Sequence, residues 1–308
     1  MISILMASYN GERYIAGQIE SLLDQTEQGF KLFIQDDKST DKTYKIIKEY
    51  AEKKPAKIFV KQNSANSGGS QHNFMKMMIE HKDDYVMLCD QDDIWLSDKI
   101  EVTLKMMRDM ESEYGAQTPL LVHTDLKVVD KRLGTISPSY RTAMNADYEK
   151  KRLANQVIQN TLTGCTVMYN RALAELINDT PPYMVMHDWW LMLIASAFGK
   201  IGSVYEQTIL YRQHDKNDIG AKDVRTMSYK INRMLNSAEV KEAISGTYLQ
   251  AQSLLEVFGD RLTAEQKELL TAYSDIPNHC KLMRIAKIFR LCTFKNGLSR
   301  KVAHIIFI

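Results

Sequence analysis

Apolar positions in this chain alternate between short runs and helix-spaced sets. Residues 2–7 form a nearly continuous apolar run, a length that predicts a buried strand. After the turn Ser8-Tyr9-Asn10-Gly11, the apolar positions Tyr14, Ile15, Ile19, Leu22 and Leu23 recur at the spacing of one helix face. The alternation then repeats. A strand over 31–35 leads into a helix carrying Tyr44, Ile46, Ile47 and Tyr50, and a strand over 57–61 into a helix carrying Phe74, Met77, Met78 and Ile79. The run Tyr85-Val86-Met87-Leu88-Cys89 predicts a fourth strand, followed by a helix over 97–113. Strands and helices joined by short connections predict an α/β fold: a mainly parallel sheet with helices on both faces.

Beyond residue 120 the rhythm loosens. The pattern predicts a strand over 120–123, an added strand over 126–129, a loop over 134–147 and a helix over 148–158. A glycine-containing strand follows over 161–169, then a helix over 172–177. Pro181-Pro182 breaks the chain ahead of an apolar helix from His187 to about Phe198, and residues 203–211 read as strand. After about Gly220 only helical patterns remain, so the expected division is an α/β domain over 1–220 and a helical region over 221–308. Residues 276–308 contain seven Lys or Arg and no acid. On a helical wheel Leu282, Ile285, Ile288, Phe289 and Cys292 share one face, while Arg284, Lys287 and Arg290 lie on the other. A basic amphipathic helix reads as a membrane-surface binder, and a terminal helix docked on the main domain is the other reading.

The chain is 44% hydrophobic and 25% charged, ordinary for a soluble globular protein, and its net charge of +2 makes nucleic acid an unneeded partner. Cys89, Cys165, Cys280 and Cys292 lie far apart without zinc-type spacing, which reads as free thiols in a reducing compartment. The first residues lack the basic lead of a signal peptide, and the longest apolar run, 189–198, is too short to span a bilayer. The expected location is the cytoplasm, or a membrane face that looks into it.

Candidate chemistry gathers at the strand ends. Ser8-Tyr9-Asn10, Asp36-Asp37 and Asp90-Gln91-Asp92-Asp93 each follow a predicted parallel strand. They therefore fall on one edge of the sheet, where open α/β folds bind ligands. Three acids within four residues repel one another, and a divalent cation with oxygen ligands, Mg²⁺ or Mn²⁺, would offset that repulsion. A helix N-terminus, which also favours acids, is the alternative.

In order along the chain, Ala7-Ser8-Tyr9-Asn10-Gly11, Asp36-Asp37 with Ser39-Thr40-Asp41, and Asp90-Gln91-Asp92-Asp93 followed by Trp95 resemble the family 2 glycosyltransferases, inverting enzymes with a nucleotide-sugar-binding domain of the GT-A fold. The likeness covers about residues 1–217. His187-Asp188-Trp189-Trp190 and Tyr211-Arg212-Gln213-His214 sharpen it toward bacterial rhamnosyltransferases of cell-wall and capsule polysaccharide assembly.

The resemblance implies roles for particular residues. Ser8, Tyr9 and Asn10 match the first nucleotide-contacting turn. Asp37 matches the acid that bonds the pyrimidine, with Asp36 beside it, and Gln91 joins the donor-binding set. Asp90 and Asp92 match the outer acids of the Asp-x-Asp metal motif, with His214 a further metal or diphosphate contact. Asp93 and Trp95 would shape the loop. Asp188 matches the catalytic base, here preceded by His187 where an acid is common. Thr163, Gly164, His187, Trp189 and Trp190 are candidates for acceptor binding, with one tryptophan packed in the core. Gln213 is followed by His214-Asp215-Lys216, not by the Gln-x-x-Arg-Trp pattern of processive synthases, so one or few additions are expected. The implied reaction transfers L-rhamnose from dTDP-L-rhamnose to a lipid-linked saccharide, with Mg²⁺ or Mn²⁺ as cofactor. The alternatives are a UDP-glucose or UDP-galactose donor, or a non-catalytic saccharide-binding protein.

Overall fold

The computed structural model describes residues 1–214 and 237–308. The boundary expected at 220/221, and Asp215 to Asn217 of the predicted motif, lie outside the described residues.

Two compact units interleave along the chain. The first comprises residues 1–140, 162–180 and 199–214, and the second residues 141–161, 181–198 and 237–308. The helix that carries Asp188 therefore belongs with the C-terminal helices, although in sequence it falls between segments of the α/β unit.

The first unit is built on a nine-stranded sheet. Four strand–helix pairs open the chain: β1 (Ile2–Ser8) and α1 (Ile15–Leu23), β2 (Phe30–Asp36) and α2 (Thr43–Lys53), β3 (Ile58–Gln62) and α3 (Ser70–Glu80), then β4 (Tyr85–Cys89), from which a two-residue strand β5 (Ile94–Trp95) leads to α4 (Lys99–Tyr114). β1 is buried at every position, as expected of a strand covered on both faces. In α1, Ile15, Ile19 and Leu22 point inward, so the helical spacing of the sequence is the spacing of the core face. α4 ends at Gly115, whose φ of 88° lies in the left-handed region open to glycine, and its N–H caps the Glu111 carbonyl at 2.8 Å.

β1 pairs in parallel with β2 and β4, and β2 in parallel with β3. The remaining strands are β6 (Leu120–Val129), β7 (Thr135–Ser137), β8 (Val167–Asn170) and β9 (Lys200–Arg212). The order is β3-β2-β1-β4-β8-β6-β9-β5, with β7 on β6. β8 lies antiparallel between β4 and β6, so the sheet is mixed beyond its parallel half.

Several local expectations are corrected. The two strands foreseen at 120–123 and 126–129 are one continuous β6, bent by register shifts against β9 around Asp125. The loop over 134–147 contains β7 and a short helix, Tyr140–Ala143. The helix over 148–158 shrinks to Leu153–Gln156, and the strand over 161–169 begins with a 3₁₀ turn, Gly164–Thr166.

The second unit holds the His187–Phe198 helix and four C-terminal helices: Ser237–Phe258, Ala264–Ser274, Lys281–Leu291 and Leu298–Phe307. Within Lys281–Leu291 the predicted apolar face is divided. Ile288 is fully buried, whereas Leu282 and Phe289 are 80% and 57% exposed. Two cations of its predicted basic face serve as fasteners: Lys287 Nζ donates to Asp275 at 2.7 Å, and Arg284 donates to the carbonyls of His279 and Pro277. No helix among the described residues is long and apolar enough to cross a membrane.

Candidate active site

The carboxyl ends of β1, β2 and β4 lie on one sheet edge because the strands run parallel, with Ser8 opposite Asp36 and Met6 opposite Cys89. All of the donor-binding candidates, Ser8, Tyr9, Asn10, Asp36, Asp37, Asp90 and Gln91, follow from these ends. Several are already engaged with protein groups. Asp36, fully buried, accepts from Ser39 N at 3.0 Å, Ser39 Oγ at 2.5 Å, Gln62 Nε2 at 2.9 Å and Ser8 Oγ at 3.3 Å. Asp37 accepts from Asn63 Nδ2 at 2.5 Å, and from Ser67 N and Oγ at 2.8 and 2.7 Å. These two carboxylates shape the loops that would receive a nucleotide. Asn10, at a φ of 48°, accepts from Thr40 N at 2.8 Å and so ties the first turn to the second. Tyr9 is 47% exposed.

Gln91 joins the ends of β1 and β4. Its Oε1 accepts from Tyr9 N and its Nε2 donates to Tyr9 O, each at 2.9 Å. This two-way amide pair crosses directly over Gly11, where a Cβ would collide with the Gln91 amide.

The acids after β4 separate into distinct surroundings. Asp92 Oδ2 lies 2.8 Å from His214 Nε2, and both side chains are mostly buried. The His214 ring stacks on Tyr14, centroids 4.8 Å apart and planes 19° apart, and the Arg212 guanidinium lies 4.8 Å from the centroid of the same tyrosine ring. Arg212 also staples the acid loop: its N donates to Asp93 Oδ1 at 3.0 Å, its Nε to Asp92 O at 2.8 Å and its Nη1 to Lys131 O at 3.1 Å. Asp93 is fully buried; burial first, then the charges of Asp92 and Asp90, pushes its carboxyl well above the usual range. Trp95 is 2% exposed, so Asp93 and Trp95 belong to the frame of the loop.

Beneath lies Lys99, fully buried, with its Nζ 4.5 Å from the Trp95 ring centroid and without a hydrogen bond among the described residues. Burial pushes its ammonium down to about 8, while Cys165, Cys89 and Asp93 act in the opposite direction. A buried cation here offsets part of the negative field of the acids. Asp90, Asp93 and Cys165 also bring one ligand atom each within 4.8 Å of one another. Carboxylate oxygens and an imidazole nitrogen are donors that Mg²⁺ and Mn²⁺ accept, so Asp90, Asp92 and His214 suit such an ion by chemistry, but among the described residues Asp92 meets His214 whereas Asp90 gathers with Asp93 and Cys165.

Tyr14, Arg212 and Lys99 were not legible as site residues. In the sequence Tyr14 is one more position of the helix-spaced apolar set, and nothing in the local pattern sets Lys99 apart from other lysines. Arg212 lies inside the quoted motif, but its side chain acquires meaning only when the end of β9 meets the loop after β4.

In the second unit, Asp188 occupies the first turn of its helix and is 7% exposed; its Oδ1 accepts from Trp189 N at 2.6 Å. Burial pushes the adjacent His187 down to about 3, so this imidazole is neutral at ordinary pH. Trp189 Nε1 donates to Gln156 O at 2.7 Å. Trp190 is 1% exposed and packs near Phe258, so it is the core member of the pair and offers no face to a sugar. Thr163 and Gly164, in the first unit, flank the 3₁₀ turn before β8, and Thr163 Oγ1 is buried with no hydrogen bond among the described residues.

Comparison with known proteins places this arrangement. Residues 3–177 match the profile of glycosyl transferase family 2, more than half of the chain. The chain belongs to glycosyl transferase family 2. The transferase is 28% identical over 236 residues to dTDP-rhamnosyl transferase RfbG of Shigella flexneri, an alignment spanning 73% of this chain and 77% of that protein. It is 30% identical over 205 residues to the putative teichuronic acid biosynthesis glycosyltransferase TuaG of Bacillus subtilis, spanning 66% and 75%. Its fold is similar to that of S. aureus TarS 1-349, solved in complex with UDP-GlcNAc, with a TM-score of 0.56 at 16% identity over 99% of this chain and 90% of that one. The transferase therefore has the GT-A fold and the resemblance read from its motifs holds at the level of the family.

Proposed function

We propose that the transferase moves L-rhamnose from dTDP-L-rhamnose, with inversion at the anomeric carbon, onto a lipid-linked saccharide in the assembly of a bacterial cell-surface polysaccharide. It would do so at the cytoplasmic face of the membrane and would depend on Mg²⁺ or Mn²⁺. The observation that carries this reading is the convergence of the Asp92–His214 pair with the turns after β1 and β2 on one sheet edge. The choice of rhamnose rests on the likeness to the Shigella enzyme.

The leaving nucleoside diphosphate gains negative charge as the glycosidic bond breaks. An ion held by Asp90, Asp92 and His214 would supply Lewis-acid stabilisation of that charge. Tyr9, which is exposed, would offer its ring to the nucleotide, and the loops braced by Asp36 and Asp37 would receive it. Asp188 would take the proton of the acceptor hydroxyl as its oxygen attacks from the face opposite the leaving group, which inverts the centre without a covalent sugar–enzyme intermediate.

The test is a panel of dTDP-L-rhamnose, UDP-glucose and UDP-galactose, each with Mg²⁺, scored by thermal unfolding and then by transfer. The proposal expects dTDP-L-rhamnose to raise the melting temperature most, since a ligand of the folded state stabilises by mass action. A larger rise with a UDP-sugar would reassign the donor, and undiminished transfer in excess EDTA would remove the ion. Asp188→Asn is expected to keep donor stabilisation and lose roughly 10²–10⁴-fold in turnover; wild-type turnover would remove Asp188 as the base.

A further inference from the structure

Six large apolar side chains on the last two helices face solvent. On Lys281–Leu291 they are Leu282, Met283 and Phe289, exposed by 80%, 50% and 57%. On Leu298–Phe307 they are Leu298, Val302 and Ile306, exposed by 79%, 49% and 50%. Exposed apolar residues are common singly, but clustered ones mark a surface that meets something apolar.

These side chains are not the docking faces of their helices. Lys281–Leu291 is held by buried Ile288 and by the Arg284 and Lys287 hydrogen bonds, on the arc away from Leu282 and Phe289. Leu298–Phe307 is held through buried His304 and Ile308 and by Arg300, which donates to Met144 O. Leu298, Val302 and Ile306 lie two positions from Arg300, His304 and Ile308, about 200° around the helix. The two helices are joined where Lys281 Nζ donates to Ile306 O at 2.6 Å. Phe294 bridges them again, with its ring 5.0 Å from Phe289 and 5.6 Å from Lys301 Nζ.

The charge these two helices carry is positive, although Glu268 of the neighbouring helix lies 3.8 Å from Arg290. Residues 276–308 contain no acid, and Arg290, Lys295 and Lys301 stand among the apolar residues. A second protein surface rich in carboxylates would match the charge but not six apolar side chains. An anionic bilayer matches both, with apolar groups entering the acyl boundary and cations meeting headgroups.

We infer that Leu282, Met283, Phe289, Leu298, Val302 and Ile306 form a shallow insertion face that seats the protein on a membrane bearing anionic lipid. The inference deepens the membrane-side location in the proposed function and assigns it to residues. Apolar insertion, and not the basic face read from the sequence, is the principal contact, because Arg284 and Lys287 are committed within the protein.

The protein is mixed with vesicles of neutral phosphatidylcholine, with or without phosphatidylglycerol, and sedimented. The expected result is binding to the anionic vesicles that persists in part at high salt. In the variant Leu282→Glu/Phe289→Glu/Leu298→Glu, binding falls at least tenfold, with circular dichroism and donor-induced thermal stabilisation unchanged. Wild-type protein left in the supernatant with anionic vesicles would overturn the inference, as would undiminished sedimentation of the folded variant. A vesicle-free wild-type dimer that the triple variant abolishes would assign the face to a second copy and also overturn it. Should the variant not fold, the wild-type comparison of the two vesicle types still decides. Donor-induced stabilisation, read without vesicles, fails alone if the proposed chemistry is wrong, so the two failures are separable.

Discussion

Arg212 concentrates more of the site than any predicted residue. One side chain touches the loop carrying the acids, the segment at Lys131 and the ring on which His214 stacks. Its geometry needs a planar fork of donors, which lysine lacks and methionine only matches in bulk. Arg212→Met is expected to leave the fold intact and raise the Mg²⁺ or Mn²⁺ concentration for half-maximal transfer roughly 10–100-fold, the range for residues that orient metal ligands. A metal titration at saturating donor measures it; an unchanged half-saturation point would make Arg212 a purely structural residue. Asp36 and Asp37 illustrate the opposite case. Their position at the strand ends was readable, but their saturation by Ser39, Gln62, Asn63 and Ser67 depends on loops that no local pattern reports.

Elements differ in how strongly the sequence encodes them. The Ala264–Ser274 helix begins with a full capping box, Thr263 Oγ1 accepting from Gln266 N and Gln266 Oε1 from Thr263 N. Thr263→Ala is expected to cost about 1 kcal/mol, read as a lower urea midpoint at unchanged slope. The first four strand–helix pairs were legible because each strand is a short buried run and each helix shows one apolar stripe. β5 was not, since two residues carry no period, and Ile94 and Trp95 become a strand only by pairing with Leu210 and Ile209. The place of β8 between β4 and β6 is likewise set by distant partners. Leu153, Val157 and Ile158 supplied a helical pattern over 148–158, yet all are buried in a stretch that is mostly irregular, so tertiary packing and not helix propensity decides there.

At the scale of the molecule, two buried histidines tie stability to pH. Burial pushes His187 down to about 3; burial and the charge of Lys295 push His304 down to about 4. Both lie below the ordinary value of about 6.5, so between those limits the unfolded chain binds protons that the folded chain refuses. The contribution of these two histidines is therefore full above pH 6.5 and falls as the medium is acidified, by about 1.4 kcal/mol per pH unit for each. Urea midpoints at pH 7 and pH 5 should show the drop, and His304→Leu should shrink it by about 2 kcal/mol at pH 5. An equal drop in the variant would place the acid sensitivity elsewhere. Sequence order suggested that the helical region begins only after residue 220, because a chain is read in one direction; contacts group the Asp188 helix with the C-terminal helices instead.

The crossing of Gln91 over Gly11 has a consequence for how this protein can vary over generations. The amide is held at both ends by Tyr9, so it yields to a methyl group at position 11 only by giving up both bonds. A side chain at 11 is hindered while Gln91 keeps its place and eased once residue 91 is shortened: a lineage that gains one at 11 gains from shortening 91 and finding another tie between the two strand ends. Among descendants of a common ancestor the two positions should drift together or not at all, two sites eighty residues apart inheriting as one.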